Sequence, residues 1–101
     1  MISEYAFCET GIEELIVPGT VKKIGDSAFS SCKKLKSVVI KHGVKKICRD
    51  AFSFCKRIEK VEIPDSVDEI GKDAFFGCNK LRDIDLPEHI ANIDEFLVRT
   101  E

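Results

Sequence analysis

The chain has 101 residues, of which 44% are apolar and 34% charged, and its net charge is −2. This length and composition suit one soluble domain. No stretch approaches the roughly 20 apolar residues that a membrane span needs, and residues 1–4 lack the basic and then apolar opening of a signal peptide.

The charge changes sign along the chain. Residues 1–57 carry a net charge of +5, with eleven lysines and arginines against six acidic residues, and residues 58–101 carry −7. This asymmetry gives the molecule a large dipole moment, which favours attraction of a charged partner or head-to-tail association of copies.

An internal repeat is the dominant pattern of the sequence. The dipeptide Ala-Phe begins at Ala6, Ala28, Ala51 and Ala74, at spacings of 22, 23 and 23 residues. From residue 12 onward, five apolar positions recur with a period of 23. These columns are Ile12, Leu35, Ile58 and Leu81; Leu15, Val38, Val61 and Ile84; Val17, Ile40, Ile63 and Leu86; Val21, Val44, Val67 and Ile90; and Ile24, Ile47, Ile70 and Ile93. Such a period indicates a solenoid of stacked units.

The repeat divides the chain into a single domain of about four rungs. A partial rung covers about residues 2–11, and rungs follow at 12–34, 35–57, 58–80 and 81–101. Each rung contains a period-2 alternation, such as Val38-x-Ile40, which is typical of a strand with one buried face. A turn, a second short strand and an Ala-Phe-x-x-Cys corner follow. The prolines after the first strand are Pro18, Pro64 and Pro87, and the glycines before the corner are Gly25 and Gly71.

The last segment predicts a different element. Ile90, Ile93 and Leu97 lie at i, i+3 and i+7, with Asp94 and Glu95 between them. This spacing places three apolar side chains on one helical face, and the acidic residues favour the start of a helix. We expect a short C-terminal helix that covers the last rung.

Two rungs carry a resemblance to a known family. The segments LKSVVIKHGVKKICRDAFSFC and IEKVEIPDSVDEIGKDAFFGC resemble the BspA-like class of leucine-rich repeats, whose 23-residue pattern is near L-x-x-I-x-I-P-x-x-V-x-x-I-G-x-x-A-F-x-x-C. The likeness extends from residue 6 to about residue 93. This chain departs from the pattern at Thr10 in place of cysteine, Lys41 in place of proline and Cys48 in place of glycine.

The resemblance implies a mainly β, right-handed leucine-rich repeat solenoid with a parallel sheet along one side. Members of the family often act in adhesion and recognition at the cell surface or as secreted proteins. The localisation of this chain is unknown from its sequence, since it has no signal peptide. A cell-surface or secreted location would follow if the chain is a fragment of a longer family member.

The solvent side of the first strand in each rung is the best candidate binding surface. If the alternating apolar residues point inward, their neighbours point outward and form a strand face on which a protein or peptide could bind. This strand face consists of Glu14, Ile16, Ser37, Val39, Lys41, Lys60, Glu62, Asp83 and Asp85. Exposed β-branched residues also strengthen strands, so a purely structural reason for Ile16 and Val39 stays open.

The five cysteines favour a packing role. An odd count without a Cys-x-x-Cys motif argues against a disulfide framework or a zinc ribbon. Cys32, Cys55 and Cys78 share one column, which predicts a ladder of buried free thiols. Cys48 stands beside Arg49, which could lower the pKa of its thiol, and with His42 it forms the one nucleophile–base pair of the sequence.

No catalytic, metal or cofactor site is predicted. His42 and His89 do not share a column, whereas a metal site needs three or four converging ligands. Phosphate-binding glycine loops are absent. Lysines and arginines form columns after the cysteines and in the second strand. These columns lack the interleaved aromatic residues on which bases stack, so nucleic acid is disfavoured as a partner.

We therefore expect a non-enzymatic scaffold that binds a protein or peptide through its strand face. The alternative is a structural or self-associating repeat fragment without a dedicated ligand, because open solenoid ends expose strand edges.

Overall fold

The computed structural model describes residues 11–90 of the chain. They form seven short strands, with no helix among these residues, and the four longer strands define three turns of a solenoid. The longer strands are β1 (Glu14–Val17), β3 (Ser37–Ile40), β5 (Lys60–Glu62) and β7 (Asp83–Asp85), and the shorter ones are β2 (Lys23–Ile24), β4 (Lys46–Ile47) and β6 (Glu69–Ile70). The predicted partial rung at 2–11 and the predicted helix beyond Ile90 lie outside the described residues.

The strands form two parallel sheets. The long sheet has the order β1-β3-β5-β7, and the short sheet has the order β2-β4-β6. Leu15 pairs with Val38, Val38 with Val61, and Val61 with Ile84. Each partner is 23 residues further along the chain, so one turn of the solenoid equals one sequence repeat. The predicted fold and the register of the repeat are both confirmed.

The corner segment stacks in the same way, although it contains no regular strand. The backbone N–H of Phe29 donates to the carbonyl of Ala51 at 2.8 Å, and that of Phe52 donates to Ala74 at 2.7 Å. Similar bonds join Ser31 to Ser53 and Phe54 to Phe76. Consecutive rungs therefore exchange backbone hydrogen bonds on all three sides, which satisfies the polar groups that stacking would otherwise bury unpaired.

The core consists of columns of like side chains. Phe29, Phe52 and Phe75 are buried and stack with nearly parallel rings, at centroid distances of 5.2 and 5.3 Å. The cysteine column and the columns of Val, Ile and Leu surround this stack. A single rung has too little apolar surface to fold alone, so its stability depends on the neighbours that cover it.

The corner turns use two left-handed positions in each rung. The first column contains Ser27, Asp50 and Asp73, and the second contains Ser31, Phe54 and Gly77, with φ angles from 56° to 76°. This region costs a residue with a Cβ roughly 1–2 kcal/mol, and only Gly77 avoids that cost. Gly25 and Gly71, the glycines before the corner, begin such turns, because their carbonyls accept the backbone N–H groups of Ala28 and Ala74, both at 3.2 Å. The left-handed angles themselves lie on the residues that follow.

Gly71 has another role. A Cβ atom at this position would collide with the backbone of Cys48 and Arg49 in the preceding rung. The glycine therefore permits close approach of two rungs, rather than an unusual backbone angle.

We expect Phe52→Ala to lower the free energy of unfolding by about 3–5 kcal/mol, because it removes a ring that is packed between two others. Phe54→Ala is the matched control: it deletes the same side chain from an exposed position and should cost less than about 1 kcal/mol. Urea denaturation measures the free energy of unfolding of both variants. If Phe52→Ala does not fold, the milder substitution Phe52→Leu replaces it in the comparison. A loss below about 1 kcal/mol for Phe52→Ala would contradict the stacked core.

Candidate interaction surfaces

The long sheet presents two columns of outward side chains. The register places Ile16 beside Val39, Val39 beside Glu62, and Glu62 beside Asp85. The second column is Glu14, Ser37, Lys60 and Asp83. Lys41 is also exposed, but it follows the end of β3. The structure therefore brings the residues of the predicted strand face other than Lys41 onto one side of the sheet.

The chemistry of this face changes from rung to rung. Ile16 is 63% exposed, which is unusual for a large apolar side chain within residues 11–90, and Val39 is partly exposed next to it. The same column ends in the carboxylates of Glu62 and Asp85. This column therefore has an apolar end and an acidic end, whereas the second column carries the charges of Glu14, Lys60 and Asp83.

The charges of the strand face have no partners on the described part of the protein. Within residues 11–90, the ion pairs involve Lys36 with Glu13 at 3.5 Å, Arg82 with Glu59 at 2.9 Å, Lys46 with Glu69 at 3.6 Å and Arg49 with Asp50 at 3.7 Å. The first three join neighbouring rungs. No charged residue of the strand face takes part, so its charges remain available to a ligand.

The cysteine column lies in the core as predicted. Cys32, Cys55 and Cys78 are buried free thiols. The Sγ of Cys55 donates to the carbonyl of Phe29 at 3.0 Å, and the Sγ of Cys78 donates to that of Phe52 at 3.1 Å. Contact with the Cys32 thiol and burial raise the pKa of Cys55, and burial raises the pKa of Cys78 to about 12. The column therefore has a structural role, tying each corner to the previous rung.

The lowered pKa that the neighbouring Arg49 suggested for the Cys48 thiol is not found. Its side chain is buried, and burial raises the pKa of the thiol despite the nearby Lys23 and Lys46. The adjacent Arg49 instead pairs with Asp50. Cys48 occupies the glycine column of the repeat and packs there as a small apolar side chain.

The turn after the long strand contains polar contacts that the sequence did not indicate. The buried Ser66 hydroxyl accepts from the Gly43 backbone N–H and donates to the Val44 carbonyl, both at 2.9 Å. His89, one repeat later, places its Nε2 2.7 Å from the Val67 carbonyl. This contact ties the exposed His89 to the previous rung. His42 is exposed.

A basic groove lies at the corner after the cysteines. It is lined by Ser31, Lys33, Lys34, Phe54, Lys56 and Arg57, and its volume is about 630 Å³. The sequence interpretation found no aromatic residue among these cations, and this is wrong because Phe54 is 43% exposed among them. The missed signal was a phenylalanine at a turn position where the other rungs have serine or glycine.

Metal and membrane sites are not found in the part of the chain that the structure describes. Within residues 11–90, no group of three or more His, Cys, Asp or Glu side chains converges as metal ligands would. No helix among these residues has the length and apolarity that crossing a bilayer requires.

The protein is a parallel β-solenoid with 23-residue turns, a stacked phenylalanine core and a ladder of cysteines. These features place it among the repeat proteins. The model of the BspA type leucine rich repeat region, with six copies, matches residues 1–99. The chain therefore belongs to this family. No curated protein matches its sequence.

Two solved structures are similar to the chain. One is a leucine-rich repeat protein from Bacteroides ovatus, with 29% identity and a TM-score of 0.56 over 86% of this chain. The other is a leucine rich cell surface protein from Faecalibacterium prausnitzii, with 26% identity and a TM-score of 0.55 over 87% of this chain. The chain spans 29% and 31% of those two proteins.

We expect the four cysteines in the described residues to resist alkylation in the folded protein. Their burial excludes the reagent, and the raised pKa values of Cys48, Cys55 and Cys78 leave little thiolate at pH 8. A Cys8→Ser background leaves these four alone, and Lys45→Cys in that background supplies an exposed reference thiol. Intact-mass measurement of the Cys8→Ser protein should show no label in the native state and four labels after denaturation without reductant. The Lys45→Cys variant should gain one label in the native state. Rapid labelling of Cys48, or fewer than four labels after denaturation, would contradict this account.

Proposed function

We propose that this chain is a recognition module that binds another protein or peptide through the strand face. The observation that carries the proposal is the outward column of Ile16, Val39, Glu62 and Asp85, which has an apolar end and an acidic end. At about 4.8 Å between strands, four strands span about 14 Å. This distance suits an extended segment of four or five residues with apolar side chains at one end and basic side chains at the other.

The side chains of the strand face are not part of the core, so packing of the sheet does not determine their chemistry. Ile16 is 63% exposed, and the charged residues of the face form no ion pairs within residues 11–90. A rigid surface with exposed apolar side chains and unpaired charges loses little conformational entropy when it binds a ligand. These features support recognition through the face rather than a purely structural sheet.

An adhesion-related role is part of the proposal. The F. prausnitzii protein that resembles the chain is described as a leucine rich cell surface protein. Because the chain spans 31% of that protein, such a role would belong to an array of which these rungs form a segment.

Self-association is the alternative. It is favoured by the change in net charge from +5 in residues 1–57 to −7 in residues 58–101. A charge-driven assembly would depend on salt, so light scattering at low and high ionic strength distinguishes it from binding of a separate partner by a monomer.

Peptides selected from a displayed library against the protein test the proposed function. We expect the variant with both Ile16→Thr and Val39→Thr to bind them about tenfold more weakly, which corresponds to about 1.4 kcal/mol. Threonine keeps the β-branched shape that strands favour, so the thermal midpoint should hardly change while the apolar contact is lost. Fluorescence anisotropy measures the binding.

The matched control is the double variant Lys45→Thr with Lys72→Thr, which changes two exposed positions outside the face. This control should bind within about twofold of the parent, since neither side chain would touch the ligand. Equal affinity in the strand-face variant and the parent would leave the exposed β-branched residues with a structural role and overturn the proposal.

A further inference from the structure

Phe54 is a large aromatic residue at a position where its counterparts are small. The corner turn requires a left-handed backbone here, with φ of 58° at Phe54, and the equivalent residues that share this conformation are Ser31 and Gly77. Strain of this kind persists where the surrounding structure or a function maintains it. The ring is not buried in return, because 43% of the residue is exposed.

The neighbouring rung holds the ring in place. Phe54 lies edge-to-face with Phe76 at a centroid distance of 5.3 Å. A Cβ on Gly77 would lie 2.7 Å from Cδ1 of Phe54, so the glycine leaves the space that the ring occupies. The aromatic ring is therefore supported from one side and lines the groove with the rest of its surface.

Four cations surround this ring. Lys33, Lys34, Lys56 and Arg57 line the same groove and are exposed. None of them forms an ion pair with a carboxylate of residues 11–90, whereas Lys36, Lys46 and Arg82 each pair with a glutamate of a neighbouring rung. The next rung continues these columns with Asn79 and Lys80 and adds no acidic residue. The groove thus concentrates positive charge around an apolar platform.

We propose that this groove is a second binding site, separate from the strand face, for an acidic peptide segment that contains a large apolar side chain. The carboxylates would pair with the four cations, and the apolar side chain would cover the exposed ring of Phe54. The four cations and the exposed side of the Phe54 ring would then have partners that the described part of the chain does not provide.

The geometry favours a peptide over a single-stranded nucleic acid. Sites of the latter kind combine a basic path along the backbone with several rings on which successive bases stack. Here one ring is exposed, and its aromatic neighbour Phe76 is half-buried and nearly perpendicular, with 85° between the planes. The four cations occupy two rungs, a width of about 5 Å between strands, which suits a pair of neighbouring carboxylates.

Fluorescence anisotropy with a labelled peptide tests the proposal on the full chain. The probe has one phenylalanine flanked on each side by two glutamates, and its controls replace the phenylalanine with alanine or the glutamates with lysines. We expect the probe to bind, the alanine peptide to bind at least fivefold more weakly, and the lysine peptide not to bind. Phe54→Ala and the double variant Lys56→Ala with Arg57→Ala should each weaken binding of the probe about tenfold.

The double variant Lys45→Ala with Lys72→Ala removes the same charge from exposed positions outside the groove and is the matched control. It should keep the affinity within twofold, as should Ile16→Thr with Val39→Thr, so failure of this site and failure of the strand face are distinguishable. If the control variant binds the probe as weakly as the variant with Lys56→Ala and Arg57→Ala, the peptide is attracted by the overall positive charge and not by the groove. That result would overturn the proposal. Tighter binding of an oligothymidylate than of the peptide, lost in Phe54→Ala, would also overturn it in favour of nucleic acid.

Discussion

The structure depends on one constraint: each residue must pack on its counterparts 23 positions before and after it. Backbone hydrogen bonds join the rungs at both sheets and at the corner. A side chain that fits one rung must therefore also fit against the same position in the next. The parallel rings of Phe29, Phe52 and Phe75 are the clearest result, because a ring of another size would leave a cavity or a clash in two rungs at once.

This constraint explains how much of the fold the sequence could predict. A column such as Leu15, Val38, Val61 and Ile84 gives the period, and the period gives the strand register. The outward direction of Ile16 and Val39 then follows from alternation along a strand. Burial of the cysteine column was predictable for the same reason, since its members recur beside the equally regular Ala-Phe pairs.

The features that escaped prediction depend on the local environment of single residues. Ser27, Asp50 and Phe54 adopt left-handed angles because the corner turn requires them, although none is the glycine that usually marks such angles. The pKa of Cys48 rises because burial outweighs the charges of Lys23 and Lys46, and the Cys48-Arg49 dipeptide alone does not reveal that burial. The exposure of Phe54 among lysines depends on how the turns of neighbouring rungs meet.

The outer surface differs from the core in being free to vary. Positions 16, 39, 62 and 85 change from apolar to acidic while the inward residues between them remain Leu, Val and Ile. Rungs that are alike inside can thus carry a different chemical group at each step along the solenoid. A ligand that crosses several strands would meet a sequence of groups that no single rung provides.

A double-mutant cycle on the phenylalanine column tests the rung-by-rung packing most directly. Phe29→Leu and Phe52→Leu alter neighbouring rungs, whereas Phe29→Leu and Phe75→Leu alter rungs that do not touch through these rings. The account predicts a coupling free energy of about 0.5–1.5 kcal/mol for the first pair and additive losses for the second. Additivity in both pairs, measured by urea denaturation, would contradict a core built from stacked columns.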